Sequence, residues 1–392
     1  MAHPLSGANF GTLLRVVQDG GGADQTLKIM GILGAVLARA PFSLAERLWV
    51  KLPAPDVDGP PLFVLGHWRS GTTHLYNLLA AGGWGYVPPV PVGLPHDVHL
   101  LARWLRPFLE RQLPETRWID AIPVTPTAPQ EDEIALASMS PLSFYHGLYF
   151  PRAFDRLVDR GVFFDGATEA EIADWQAQLR LFLSRIAHHQ GRRLAIKNPT
   201  YTARPAMLRA MFPGAKFIHL HRDPLDVFLS MRNFHRRLLD VMALQPVPSD
   251  LDIDATILRV YDRMMQRFTE ETAGWGAPDF VEIAYADLDA CPLDTLSKIY
   301  GTLELKGLDV ALPAFEQHLE SVKQYSRNRF EPEPALAARL DTAWGRWFDR
   351  FGYPRPGNAE IGPAMTPGAA TETVAQNEGQ ADVPMLAAGE GV

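Results

Sequence analysis

Apolar positions along the chain follow two rhythms. Short solid runs occur at 61–66 (PLFVLG), 194–197 (LAIK), 216–221 (KFIHLH) and 279–285 (DFVEIAY). Their length suits buried strands. Between them lie longer stretches with apolar residues three and four apart. Leu75, Leu78 and Leu79 repeat at helical spacing from Thr72 onward. Further helices are expected at 168–190, 203–212, 224–239, about 254–273, 309–323 and 333–351, with Pro292 opening another. Asp223 reads as a helix cap and Pro224 as the first helical residue. Residues 1–50 read as helical, ending near Ala40-Pro41, and 52–61 as a Pro-, Asp- and Gly-rich connection. The stretch 82–165 is less regular, with a helix expected at 131–139 and loops around Pro88, Pro89 and Pro91. Strands separated by helices predict an α/β fold, a central parallel sheet flanked by helices on both faces. Ligands of such sheets bind beyond the carboxyl ends of the strands.

Composition narrows the class. The 392 residues are 47% hydrophobic and 21% charged, the balance of a soluble globular chain. A net charge of −8 argues against a general nucleic-acid binder. One cysteine, Cys291, excludes an internal disulfide framework and any zinc cluster built on paired cysteines. The charge is uneven. From Pro356 onward the acids are Glu360, Glu372, Glu378, Asp382 and Glu390, with no Lys or Arg, so this stretch holds −5 and the rest −3. Residues 356–392 have no aromatic residue and are expected to form a disordered acidic tail.

The N-terminus lacks a basic start followed by a dense apolar core, so no signal peptide is read and a cytoplasmic location is expected. Its most apolar run, Ile29–Ala38, is ten residues long between Lys28 and Arg39. That is short of the ~20 needed to cross a bilayer. It reads as a buried helix, or as one that covers an apolar channel or touches a membrane surface through 27–40.

The strand ending at Gly66 runs into Gly66-His67-Trp68-Arg69-Ser70-Gly71-Thr72-Thr73. Two glycines let the backbone wrap an anion. Successive N–H groups and the following helix dipole then point at it, and Ser70, Thr72 and Thr73 add hydroxyl donors. The nucleotide triphosphatase pattern G-x-x-x-x-G-K-[ST] needs a lysine where Thr72 stands. That substitution weakens a degenerate kinase reading, and the positive charge appears at Arg69 instead. A structural turn without ligand and an inert nucleotide-binding module are the other readings of this segment.

This loop resembles the 5′-phosphosulfate loop of sulfotransferases that use 3′-phosphoadenosine 5′-phosphosulfate (PAPS). Tyrosylprotein and many bacterial members carry arginine at the position of Arg69, and cytosolic and heparan members lysine. The resemblance implies that Arg69 binds the oxygen bridging phosphate and sulfuryl group, with Ser70, Gly71, Thr72 and Thr73 on the 5′ side. It implies a P-loop nucleoside-kinase-like fold over residues 61–355. A helical N-terminal extension would precede it at 1–60, and an insertion at 82–190 would shape the acceptor pocket.

A second motif follows. His221-Arg222-Asp223-Pro224 ends a strand and opens a helix, with Ser230 eight residues after Arg222. The family holds the 3′-phosphate with an arginine and a serine at this spacing, which implies Arg222 and Ser230. The plain alternative is an ion pair from Arg222 to Asp226. A basic residue that tyrosylprotein enzymes place four positions after the serine is Phe234 here, with Arg232 or Arg236 as substitutes. Tyr285, in VEIAYADL, resembles the family tyrosine beside the nucleotide, although it also suits a core position. Ser326, in SVKQYSRNRF, resembles the loop that closes over the cofactor.

For catalysis, Lys197 in Ile196-Lys197-Asn198-Pro199 resembles the lysine that stabilises the transition state in tyrosylprotein enzymes, with Asn198 replacing an aspartate. A lysine ending a strand in solvent is the alternative. Glu131 and Glu133, in Gln130-Glu131-Asp132-Glu133-Ile134, resemble the acidic pairs that supply the base. They lie about 200° apart on a helix, so only one can face the site. His96 is the rival base. His219 and His221 alternate on one strand but lack a third ligand, and no metal is expected. Trp84, Trp104, Trp118, Phe144, Tyr145 and Tyr149 in the insertion suggest an apolar pocket or simply core. The expected function is sulfuryl transfer from PAPS to a hydroxyl or amine of a small-molecule, lipid or carbohydrate acceptor, with no nucleic acid as partner.

Overall fold

A computed structural model describes residues 3–49, 59–111, 125–322 and 334–356. The apolar runs form four strands: β1 (Leu62–Leu65), β2 (Ala195–Lys197), β3 (Lys216–His221) and β4 (Phe280–Ala284). They make one parallel sheet in the order β2-β1-β3-β4. Phe63 pairs with Ile196 on one side and with Phe217 on the other. All four residues of β1 are buried, as a central parallel strand covered on both faces requires.

Strand alternation divides the core. Phe63, Leu65, Ile196 and Phe217 face one side, packed with Trp175, Leu179 and Phe182 of the helix Glu169–Gln190. Leu62, Val64, Ile218 and Leu220 face the other, against Leu75, Leu78 and Leu79 of the helix Thr72–Ala81. A third cluster joins the helices Pro224–Met242, Ile253–Glu271 and Pro334–Phe351. Leu5, Leu13, Val16, Ile32 and Val36 from the N-terminal segments pack into it, so these segments share the core of the sheet-bearing unit. Met1–Gly357 cluster as one compact unit. The tail expected at 356–392 lies, apart from Pro356, outside the described residues, as do most of the 52–61 connection and Trp118.

Several boundaries differ from the sequence reading for physical reasons. The helix expected to stop at Pro41 runs from Thr26 to Trp49. Tertiary anchors hold it on both sides of the proline: Arg39 Nε and Ser43 Oγ reach Asp97, and Glu46 Oε2 accepts from the N–H groups of His99 and Leu100. Its apolar run is also less covered than a buried helix. Leu27, Met30, Leu37, Leu44 and Leu48 are all more than half exposed. The most apolar 18-residue window within Thr26–Leu48 has a mean hydropathy of 1.5, so by length and composition this helix is apolar enough to cross a bilayer. The helix expected at 203–212 begins at Pro205, after a 3-10 turn at Pro199–Ala203. Strand β4 stops at Ala284, and Tyr285 opens a short helix to Ala290.

Candidate functional site

The carboxyl ends of β1, β2 and β3 converge on one region, and the sequence puts its charged residues there. After β1 the chain turns at Gly66 with φ 148°, a conformation suited to glycine. A Cβ here would lie 2.5 Å from the Leu220 carbonyl oxygen and 2.8 Å from Ser70 Oγ. The Gly66 N–H donates to Thr202 Oγ1 at 2.8 Å, which ties the loop to the segment after β2. His67 and Trp68 are buried anchors. The His67 ring lies tilted against Tyr261 and the Trp68 ring against Phe144, with ring centroids 4.9 and 4.5 Å apart. Burial holds the His67 imidazole neutral, at a pKa of about 3.

Arg69 takes a left-handed conformation, φ 68°, which a residue with a Cβ adopts at a cost of about 1–3 kcal/mol. Its Nε donates to Ser230 Oγ at 2.8 Å. Gly71, φ 93°, precedes the helix Thr72–Ala81, and a Cβ on it would strike the Tyr285 ring. No side chain caps this helix, whose first N–H groups therefore point into the loop. Ser70 is 2% exposed and its Oγ has no partner among the described residues. An uncapped helix start, a buried orphan hydroxyl and a cradle that a Cβ would fill fit a bound oxyanion.

Strand β3 delivers the second motif. Asp223 caps the next helix, its Oδ1 accepting from the Leu225 N–H at 2.8 Å, and Pro224 is the first helical residue. Arg222 donates to Asp226 Oδ2 through Nε and Nη2, at 3.1 and 2.7 Å, the ion pair weighed from sequence. That pairing fixes the fork. The guanidinium lies 5.1 Å over the Tyr285 ring, and Nη1 reaches the Arg69 carbonyl at 3.4 Å. Arg69, Arg222, Ser230 and Tyr285 therefore meet at one place although more than 150 residues separate the first two. Phe234 is core, and Arg232 is held by Asp254 at 2.7 Å, so neither extends this cluster. Arg236 is exposed. Ser326 lies outside the described residues.

Strand β2 delivers Lys197, whose side chain is 4% exposed and ion-paired to Glu131. It is not a lysine in solvent. The acidic run splits in direction. Glu131 precedes the helix, which begins at Glu133, and turns to Lys197. Glu133 is 1% exposed and points inward. Its Oε1 accepts from Ser143 Oγ at 2.7 Å and from the Phe144 N–H at 3.0 Å, and its Oε2 from Asn198 Nδ2 at 2.9 Å and Thr200 Oγ1 at 3.2 Å. Both Glu133 oxygens are thus engaged in the core, and of the two glutamates Glu131 is the one that turns to Lys197.

Between them Asp132 is fully buried, accepting from Tyr201 OH and, at 3.0 Å, from Asn198 Nδ2. Burial pushes its pKa up to about 7, the Tyr201 hydrogen bond opposes the shift, and the Glu133 charge adds to it. Asn198 thus bridges two buried acids behind Lys197. Its amide can donate to both, whereas an aspartate there would add a third negative charge. The sequence marked Asn198 as a departure but not as a bridge. The signal was available in three consecutive acids followed by an apolar run. Thr202 carried no sequence signal beyond its nearness to β2.

His96 is half-buried, with Nε2 3.3 Å from the Ser138 carbonyl, and burial lowers its pKa to about 4. His219 and His221 are taken up by Glu282 at 3.0 Å and the Tyr353 hydroxyl at 3.1 Å. Among the described residues no group of three or more His, Cys, Asp or Glu could hold a metal ion. Of the aromatic residues considered for the pocket, Trp84, Phe144, Tyr145 and Tyr149 belong to the cores, while Trp104 is 75% exposed.

Comparison with known proteins places the chain in a family. Residues 60–309 match the model of a sulfotransferase family. Omega-hydroxy-beta-dihydromenaquinone-9 sulfotransferase Stf3, from Mycobacterium bovis and Mycobacterium tuberculosis, is 29% identical over 314 residues, 79% of this chain and 80% of the relative. The fold is shared with two solved structures. Sulfotransferase STF9 of Mycobacterium avium has a TM-score of 0.57 at 17% identity, covering 88% of this chain and 86% of the other. Sulfotransferase STF1 of Mycobacterium tuberculosis has a TM-score of 0.53 at 20% identity, covering 79% and 85%. The fold is the P-loop kinase-like one of these enzymes, and the chain belongs to the sulfotransferase family, whose reaction is sulfuryl transfer.

Proposed function

We propose that this protein transfers the sulfuryl group of PAPS to the hydroxyl of an apolar, lipid-like acceptor. One observation carries the donor half: Arg69, Ser230 and Arg222 meet over Tyr285 beside an uncapped helix start. In this reading the loop from Ser70 to Thr73 binds the 5′-phosphosulfate, and Arg222 and Ser230 hold the 3′-phosphate. The acceptor oxygen attacks sulfur as the sulfur–oxygen bond to the phosphate breaks. Arg69 and Lys197 offset the charge that develops on the departing oxygen and the equatorial oxygens. Glu131 takes the acceptor proton. The products are a sulfate ester and adenosine 3′,5′-bisphosphate. Thr72 is buried where a triphosphatase would present its lysine, so a kinase lacks its cation there.

The acceptor half rests on two supports. The relative named above is a sulfotransferase of a menaquinone derivative, and the helix Thr26–Trp49 exposes leucines in a stripe. On this reading the helix lies on a membrane surface, its leucines in the interfacial layer. Replacing Leu33, Leu37 and Leu44 with serine is expected to release the protein from vesicles in flotation while leaving PAPS binding intact. An acceptor panel of quinols, sterols, long-chain alcohols and sugars, incubated with radiolabelled PAPS, tests the whole reading. Label in an extractable apolar ester supports it, and label confined to sugars refutes the acceptor class.

A further inference from the structure

A second basic cluster lines a cavity of about 330 Å³ that shares no residue with the strand-end site. Its walls carry His99, Arg103, Arg106, His188 and His189, with Glu110 as the acid among them. Glu110 is already taken, accepting from Arg106 Nε at 2.6 Å. Arg103 and Arg106 come from the helix Leu101–Arg111, and the two neighbouring histidines from the last turn of Glu169–Gln190. The imidazole of His99 meets that of His188 edge-on, with centroids 5.5 Å apart. Its Nε2 is closed off from solvent and has no partner among the described residues.

Among the described residues the neighbouring acids are largely engaged elsewhere. Glu46 spends Oε2 on the N–H groups of His99 and Leu100 at 3.0 Å, and Asp97 is bound by Arg39. Arg185 acts on His99 as well, although Glu46 and Asp97 offset its charge. The His99 pKa is lowered to about 4, first by burial and then by His188, Arg185, His189 and Arg103. His189 is lowered likewise, by burial and then by Arg106 and Arg103. With His99 uncharged at neutral pH, an oxyanion here would meet the planar arginine forks as charged donors and the imidazole N–H groups as neutral ones.

We propose that this cavity binds the phosphate or sulfate group of an amphiphilic ester. Arginine forks beside imidazole N–H donors suit an oxyanion. Pro88, Val90, Pro91 and Val98 supply an apolar wall, which a bare ion would not use. A phospholipid headgroup is the source the surroundings favour. The loop leading into Leu101–Arg111 is pinned to the exposed apolar helix Thr26–Trp49 through Asp97, His99 and Leu100. The arginine-bearing helix also exposes Trp104 and Phe108, at 75% and 59%. Basic residues beside exposed aromatic ones are the composition of interfacial helices.

The test uses the full chain saturated with adenosine 3′,5′-bisphosphate. Binding of that nucleotide, measured separately, reports on the donor site alone. Glycerol 3-phosphate is then titrated while the imidazole proton resonances are followed. In parallel, the protein is sedimented with phosphatidylcholine vesicles, with and without phosphatidylglycerol. Sedimentation that needs phosphatidylglycerol and falls at least about tenfold in an R103Q/R106Q variant is the expected result. Shifts of the His99, His188 and His189 resonances with glycerol 3-phosphate, and no vesicle preference, would assign a soluble ester instead. Unmoved imidazole resonances together with equal sedimentation on both vesicle types would overturn the proposal in the wild-type protein alone.

Discussion

Replacing Arg222 with alanine should separate the two ends of the donor. Arg222 sits on Asp226 at 2.7 Å and over the Tyr285 ring, on the 3′ side of the proposed nucleotide. Deleting it removes a charge-assisted contact to phosphate, about 1.5–3 kcal/mol. It also leaves the Asp226 carboxylate facing that phosphate without its counter-ion. The added repulsion is about 1 kcal/mol at a partly exposed site. Together these weaken binding by roughly 100- to 1000-fold. Folding should hardly change, because an i,i+4 pair with side-chain exposures of 22% and 45% contributes about 0.3–0.5 kcal/mol. The assay is calorimetric titration with adenosine 3′,5′-bisphosphate and, separately, with adenosine 5′-monophosphate. Only the bisphosphate should lose affinity, and an R222A/D226A variant should regain about fivefold. Equal losses for both nucleotides would refute the assignment of Arg222 to the 3′-phosphate.

The acids after Gln130 should behave as two classes. Glu131→Gln is expected to lower kcat by about 100-fold or more with little change in Tm. Glu133→Gln should lower Tm while kcat per folded molecule holds, checked by melting curves beside steady-state rates. Asp132 gives a pH signature. Its folded pKa, about 7, lies above its unfolded value, so its contribution to stability is fully present below about pH 4 and is lost as pH rises through 7. Denaturant melts across that range should show the decline, and Asp132→Asn should flatten it.

The sheet was legible in the sequence because a parallel strand covered on both faces must be apolar at every position, as β1 is. The turn after β1 was legible for a similar reason, since its signals are local: glycines, hydroxyls and an arginine within eight residues. Contacts between distant segments were not legible. Nothing in a linear pattern says that Arg69 will reach Ser230, or that Asn198 will bridge Asp132 and Glu133. The end of the N-terminal helix was misread because proline is locally unfavourable within a helix. Here the bonds of Arg39, Ser43 and Glu46 to the 97–100 segment hold both flanks. Tyr285 read as a strand end, yet its ring lies beneath both Gly71 and Arg222, a placement that depends on where β4 stops.

The central claim is that Arg69 acts on the bond that breaks. Sulfuryl transfer from radiolabelled PAPS by the wild type and by Arg69→Ala, both saturated with donor, tests it most directly. The account predicts turnover lower by about 100- to 1000-fold in the variant, with adenosine 3′,5′-bisphosphate affinity changed far less. Turnover that survives the substitution, or falls only in proportion to lost donor binding, would contradict it.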